Sequence, residues 1–263
     1  MKKLILVLGL VVASLCVVTA QDVNVSTSDY KIKGKVTRLE IFLGKVTVEA
    51  TNGNEVVISS QNERGEKDDR AKGLHIINGS GLEDNTGQGV NVTAKENGVY
   101  QIKQLSIMTS PEVKIFVPKG VIVYYEFESQ HGEDVKFKNL DNEIEISANY
   151  NDIKLENITG PVTAKCVYCS IEADFNVNVK GPISIISVYD YVDVTLPVAT
   201  KADLKMNTSY GALYAAQEFK IEYDKQQDGN MVRYDNKVSG KINGGGVKIE
   251  LTSNYEKVYL RKK

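Results

Sequence analysis

Apolar and polar residues alternate through most of the chain after Gln21, in short runs separated by turn residues. "RLEIFLGKVTVEA", Arg38 to Ala50, alternates, turns at Gly44 and alternates again. "TNGNEVVISS" turns on Asn52-Gly53 and re-enters a strand. "QNERGEKDDRAKG" is charged and aperiodic and reads as a solvated loop. "LHIINGSGLEDNTGQGVNVTAKENGVYQI" supplies short strands broken by Gly and Asn, and "PEVKIFVPKGVIVYYEFES" two more around a Pro118-Lys119-Gly120 turn. Nowhere do apolar residues recur at intervals of three and four over a dozen positions. "ATKADLKM", the nearest helical candidate, is too short to hold a helix alone. The pattern predicts an all-β chain.

From about residue 123 a longer regularity takes over. The runs Ile144-Ile146-Ala148-Tyr150, Val162-Ala164-Cys166-Tyr168, Ile183-Ile185-Ser187-Tyr189, Leu204-Met206-Thr208-Tyr210 and Val247-Ile249-Leu251-Ser253-Tyr255 share one period-two register. On that parity each tyrosine is the last inward residue before a corner, over a small residue two places earlier. The next position is Asn151, Cys169, Asp190, Gly211 or Glu256, mostly types that tolerate a turn backbone. Three after each tyrosine an apolar residue restarts the row: Ile153, Ile171, Val192, Leu213 and Val258. "FESQHGEDV" fits as a degenerate earlier copy with His131 in the aromatic slot.

Positions 131, 150, 168, 189 and 210 are spaced by 19, 18, 21 and 21 residues, and Tyr255 follows 45 later, about two periods on. The interval holds "FKIEYDKQQDGNMVRY", two strands joined by a polar hairpin loop. Two strands and two turns per repeat predict stacked units joined by parallel ladders, a single-domain β-solenoid. An antiparallel meander closing into a barrel or sandwich explains the alternation but not the constancy of the unit. The expected organisation is a leader at 1–20, an irregular β region at 21–122, and a repetitive solenoid at 123–263 continuous with it.

The leader follows from Lys2 and Lys3 ahead of an apolar run, Leu4 to Val18, and the small residues of "VTA" before Gln21. That is the outline of a secretory signal peptide cut after Ala20. As an uncleaved anchor the run falls short of the ~20 residues of a span. Cys16 lacks the small residue that a lipoprotein signal places before it. With no second apolar run, the mature chain is expected to be exported without a membrane span. Of 263 residues 25% are charged and 42% hydrophobic, and the formal charge is −2. No basic surface invites nucleic acid.

"VKIFVPKG", the "S-x-Y-x-x-V" corners and "KINGGGVKIELTSNYEKVYLRK" together resemble the putative-adhesin, β-strand-repeat family of exported bacterial proteins, a domain of unknown function. The resemblance covers nearly all of the chain after residue 20 and is most specific over Lys241–Lys262. It implies an all-β solenoid-like fold at the cell surface or in the periplasm, with no assigned catalysis. The CxxC at Cys166 and Cys169 departs from that pattern.

Candidate chemistry is sparse. Cys166 occupies a small inward slot and Cys169 a turn slot, a spacing compatible with a local disulfide. The alternatives are two unpaired core and turn residues, or a redox or metal site. Redox CxxC pairs open helices, and a zinc site would have only His75 and His131 to complete four ligands. Asp141, Glu143, Glu145, Asp190 and Asp193 raise the question of paired carboxylates for glycan cleavage. Glu143 and Glu145, however, alternate with Ile144 and Ile146 on a solvent face, and Asp190 fills a turn slot. No nucleophile elbow, metalloprotease, phosphate-loop, dinucleotide or calcium-loop motif is present. The corner tyrosines Tyr150, Tyr168, Tyr189, Tyr210 and Tyr255 read as packing residues first, with a ring ladder that stacks on sugars or on a partner's side chains as the alternative. Tyr191 and Tyr214, on the other parity, are the expected exposed ligand contacts. The resulting expectation is a non-catalytic binding or scaffolding module with neither cofactor nor metal, its partner a surface glycan or protein, with homo-oligomers open. An enzyme or carrier acting on cell-envelope polysaccharide is the alternative.

Overall fold

The computed structural model describes residues 29–60, 70, 73, 74, 77–106, 108–224 and 236–263. The leader at 1–20, most of the charged loop at 61–73, His75 and the hairpin loop at 225–235 lie outside the described residues. The first strands are β1 (Tyr30–Lys31), β2 (Arg38–Phe42), β3 (Val46–Thr51), β4 (Val57–Ser60), β5 (Val90–Ala94), β6 (Val99–Gln104) and β7 (Val113–Pro118). Then come β8 (Ile122–Phe127), β9 (Val135–Lys138), β10 (Ile144–Ala148), β11 (Ile153–Ile158), β12 (Val162–Cys166), β13 (Ile171–Phe175), β14 (Ile183–Ser187) and β15 (Val192–Leu196). The last are β16 (Ala202–Thr208), β17 (Leu213–Ala215), β18 (Ile221–Tyr223), β19 (Asn236–Ile242), β20 (Val247–Ser253) and β21 (Val258–Lys262). Among the described residues no helix is long and apolar enough to cross a membrane.

The all-β expectation holds: among the described residues the strands form two large, mostly parallel sheets and no closed barrel. One sheet runs β1-β4-β7-β3-β9-β11-β13-β15-β21-β17, and the other β18-β19-β16-β20-β14-β12-β10-β8-β2-β6-β5. From β8 to β15 successive strands alternate between the sheets, and each pairs in parallel with the strand one repeat away. Ile144 faces Val162, which faces Ile183, so identical slots stack in columns. Inward residues of the two sheets form one continuous apolar core, from Leu39 and Ile41 through Phe137, Ile146, Leu155, Ile185 and Val194 to Leu251 and Leu260. Each such side chain contributes roughly 1.5–3 kcal/mol relative to exposure. Strand parity therefore specifies the register, because a one-residue slip would turn a whole column to water.

The order at both ends differs from the sequential stack that the spacing predicts. The unit β20–β21 does not lie beyond β16–β17 but is inserted before it, with β20 between β14 and β16 and β21 between β15 and β17. At the other end β2 lies between β8 and β6, and β3 between β9 and β7. Parallel pairing thus continues through residue 122 into the region read as irregular. β18 and β19 pair antiparallel, and β19 covers the free side of β16 over its whole length.

Candidate functional site

Every repeat turns from one sheet to the other at a corner, and the corners are built by short side chains. Ser187 Oγ accepts the Asp190 N–H at 3.2 Å and donates to the Cys169 carbonyl of the adjacent unit at 2.8 Å. Ser253 repeats both bonds with Glu256 N–H and the Asp190 carbonyl, and Thr208 with Gly211 N–H and the Glu256 carbonyl. All three hydroxyl residues are completely buried. Each closes its own corner by an i to i+3 bond and ties it to the neighbouring corner, satisfying polar groups that burial would otherwise penalise. A Cβ at Gly211 would collide with the Glu256 carbonyl oxygen, so this corner requires glycine.

Two corners solve the same problem differently. Cys166 and Cys169 occupy the positions of Ser187 and Asp190 and are joined by a disulfide, with Cα atoms 5.7 Å apart. A covalent bond between i and i+3 stands where its neighbours use a hydroxyl. In the unit before it Ala148 has no hydroxyl, and the buried Asn151 amide donates instead to the carbonyls of Gly44 and Glu133 at 2.7 and 2.6 Å. A side chain at Gly132 would occupy the space of that amide.

These corners place the tyrosines outward. Strands β10, β12, β14, β16 and β20 end at the small residue, so the period-two parity stops two positions before the ring. The inward placement expected for Tyr150, Tyr168, Tyr189, Tyr210 and Tyr255 is therefore corrected: all five are exposed, from 44% for Tyr150 to 75% for Tyr210. Main-chain bonds hold the corners in step, as from Tyr168 N–H to the Asn149 carbonyl and Tyr189 N–H to the Val167 carbonyl. The rings consequently stack at the strand spacing in the order Tyr150, Tyr168, Tyr189, Tyr255, Tyr210. Centroids are 5.2, 4.8, 4.8 and 5.0 Å apart and the planes lie within 15°. Faces cover one another along the row, while ring edges and hydroxyls face solvent. Each stacked pair contributes about 0.5–1.5 kcal/mol beyond area burial.

Tyr191, expected to be exposed, is half-buried; its hydroxyl donates to Glu172 at 2.7 Å. That bond and burial push its pKa up to about 12. Tyr214 is exposed and stacks on Tyr259 at 5.3 Å, and Tyr259 meets Tyr191 edge-on. Tyr259 has no place in the sequence pattern, and Ser187, Thr208 and Ser253 enter it only as small inward residues, not as the hydroxyls that close the corners. The hydroxyls had a signal, a Ser or Thr three residues before a turn-forming Asp, Glu or Gly.

The carboxylates singled out for glycan chemistry are mostly committed to cations. Asp141 pairs with Lys119 and Asp193 with the Arg261 guanidinium. Glu145 accepts a two-pronged contact from Arg38 at 3.0 and 2.8 Å, which holds its carboxyl below the usual range. Glu143 is exposed, and Asp190 Oδ1 accepts the Tyr191 N–H within its corner. Among the described residues no cluster of three or more His, Cys, Asp or Glu side chains could hold a metal ion.

No family model and no curated protein matches the chain. A solved structure described as a "putative cell adhesion protein" from Clostridium sporogenes is similar at 10% identity and a TM-score of 0.45, over 89% of this chain and 98% of that one.

Proposed function

We propose that this protein is an exported, non-catalytic binding or scaffolding module, a β-solenoid of the adhesin kind working at the cell surface or in the periplasm. One observation carries the reading: five exposed tyrosines in a row along one edge, repeating at 4.8–5.2 Å. Such a strip offers a periodic line of hydroxyls and ring edges in place of a closed pocket. It suits a repetitive partner, a polymeric surface glycan or the face of another protein. The solenoid description rests on two-strand units, one strand to each sheet, recurring in register. The interleaved ends are a variation on it.

The test is a glycan array with a parallel hydrolysis screen, using the purified protein and a Tyr168→Ser/Tyr189→Ser variant. The expected result is binding to a polymeric glycan that the variant loses by about tenfold, or 1.4 kcal/mol. Product release abolished by Glu172→Gln or Asp193→Asn would overturn this reading in favour of an enzyme acting on envelope polysaccharide.

A further inference from the structure

We propose that the tyrosine row is a site of oxidative cross-linking, at which a haem peroxidase with hydrogen peroxide joins neighbouring rungs as dityrosine. The inference does not depend on any ligand and rests on three properties of the row.

The first is proximity. Consecutive rings lie 4.8–5.2 Å apart and within 15° of parallel, so a radical formed on one ring always has a second phenol in contact. Fixed juxtaposition of two reacting groups replaces a bimolecular encounter with an intramolecular one. The second is access, since all five rings are exposed. The third is the freedom of the phenols. Four tyrosine hydroxyls outside the row are engaged: Tyr100 donates to the Lys33 carbonyl, Tyr124 to Glu126, Tyr125 to the Leu43 carbonyl and Tyr191 to Glu172. Among the described residues the five row hydroxyls have no such partner, so each can release its proton to water as its ring is oxidised.

The chemistry balances. Each of two tyrosines loses one electron to the oxidised haem and its phenolic proton to water. The radicals carry spin at the carbons ortho to oxygen, and a carbon–carbon bond forms between two of these. Each ring then returns its ortho hydrogen to oxygen and regains aromaticity. Net, two tyrosines and one hydrogen peroxide give one dityrosine and two waters. Each link joins one two-strand unit to the next, across the direction in which the units would peel apart.

The interleaved order makes the outcome specific. Tyr189 touches Tyr255, far away in sequence, and does not touch Tyr210, the next corner tyrosine along the chain. The experiment treats the purified protein at low concentration with peroxidase and hydrogen peroxide. It then reads dityrosine fluorescence in the monomer band and maps linked peptides by mass spectrometry. Expected are links Tyr150–Tyr168, Tyr168–Tyr189, Tyr189–Tyr255 or Tyr255–Tyr210, each with the loss of two hydrogens, and none between Tyr189 and Tyr210. A Tyr168→Phe/Tyr189→Phe/Tyr255→Phe variant keeps the stacked rings but no phenol at those rungs, so every row link should vanish from its peptide map and its monomer fluorescence should fall to what a Tyr214–Tyr259 link alone supplies. Absence of dityrosine, links only between molecules, links confined to Tyr214–Tyr259, or an undiminished signal in the variant would each overturn the proposal.

Discussion

Between β8 and β15 the unit that follows in sequence is the unit that follows in space, whereas at either end of the molecule a terminal unit is tucked one place inward. β2–β3 sits inside β6–β7, and β20–β21 sits inside β16–β17. The strand pairs are alike in both settings, with inward apolar columns and parallel ladders, so the difference lies in how a stack of strands ends. A parallel stack leaves a row of unpaired amides and carbonyls at each end, a template for association with other chains. Here the outermost positions go to strands that limit that hazard. β1, β17 and β18 have only two or three residues. Beside β5 the Asn85 side chain takes the part of a neighbouring strand, accepting the Val92 N–H and donating to its carbonyl, both at 2.8 Å. The first and last regular units, by contrast, are held on both sides.

The sharpest way to break this comparison is at Leu251. It is fully buried on β20, opposite Ile185 of β14 on one side and Met206 of β16 on the other. A terminal unit would offer it neighbours on one side only. With the unit lodged as described, Leu251→Ala should cost about 2–5 kcal/mol, as much as Ile185→Ala in the sequential middle. Equilibrium unfolding in denaturant measures both. A loss under about 1 kcal/mol at Leu251 beside a full loss at Ile185 would mean that the end frays and the interleaving contributes little.

At the other end a charge contact ties the tucked unit to the middle. Arg38 on β2 reaches over β8, its guanidinium 4.8 Å from the Tyr124 ring, to grip Glu145 on β10. The hydrogen bonds from Arg38 lower the Glu145 pKa in the folded protein. A depressed folded-state value contributes stability that is fully present above the unfolded carboxylate value of about 4.3. That contribution disappears as pH falls through the lower folded value. Glu145→Gln should therefore cost about 1–2 kcal/mol at neutral pH. The gap to wild type should close in strong acid, as urea unfolding of both proteins across the acid range would record. A gap independent of pH would detach the ion pair from the end's stability.

How much of this was legible follows the same division. In the middle, Ile144, Val162 and Ile183 open equivalent strands at nearly equal intervals, so period and parity together specified units, register and core. At the C-terminal end the runs ending in Tyr210 and Tyr255 carry the same pattern, and nothing local says which stacks on Tyr189. The structure places β20 between β14 and β16 and pairs β19 with the other side of β16, all contacts over long sequence separation. β2–β3 and β6–β7 lack the corner tyrosine altogether and so read as irregular. The outward turn of the rings was missed for a nearer reason. Alternation was carried two residues past the strand end, although the buried Ser or Thr that begins the corner was in view. Because the ring row depends on those corners, the candidate site was legible as a set of residues before it was legible as a surface.

The smallest expected effect tests whether the corner at Cys166 and Cys169 is a variant of its neighbours or a device of its own. Both half-cystines are buried, and they occupy the slots held one unit on by Ser187 and Asp190. Closing so short a loop restricts the unfolded chain by about 2 kcal/mol on a chain-entropy estimate, less than the longer loops of most disulfides. A serine at 166 with an aspartate at 169 can rebuild the hydroxyl bond of the next corner, worth about 1 kcal/mol. Cys166→Ser/Cys169→Asp should thus lose only about 1 kcal/mol against the oxidised protein, half the loss of Cys166→Ala/Cys169→Ala, which rebuilds nothing. Denaturant midpoints of the three proteins decide the matter. Equal losses in the two variants would show that the hydroxyl corner cannot be transplanted one unit along, and that the disulfide defines a corner of another kind.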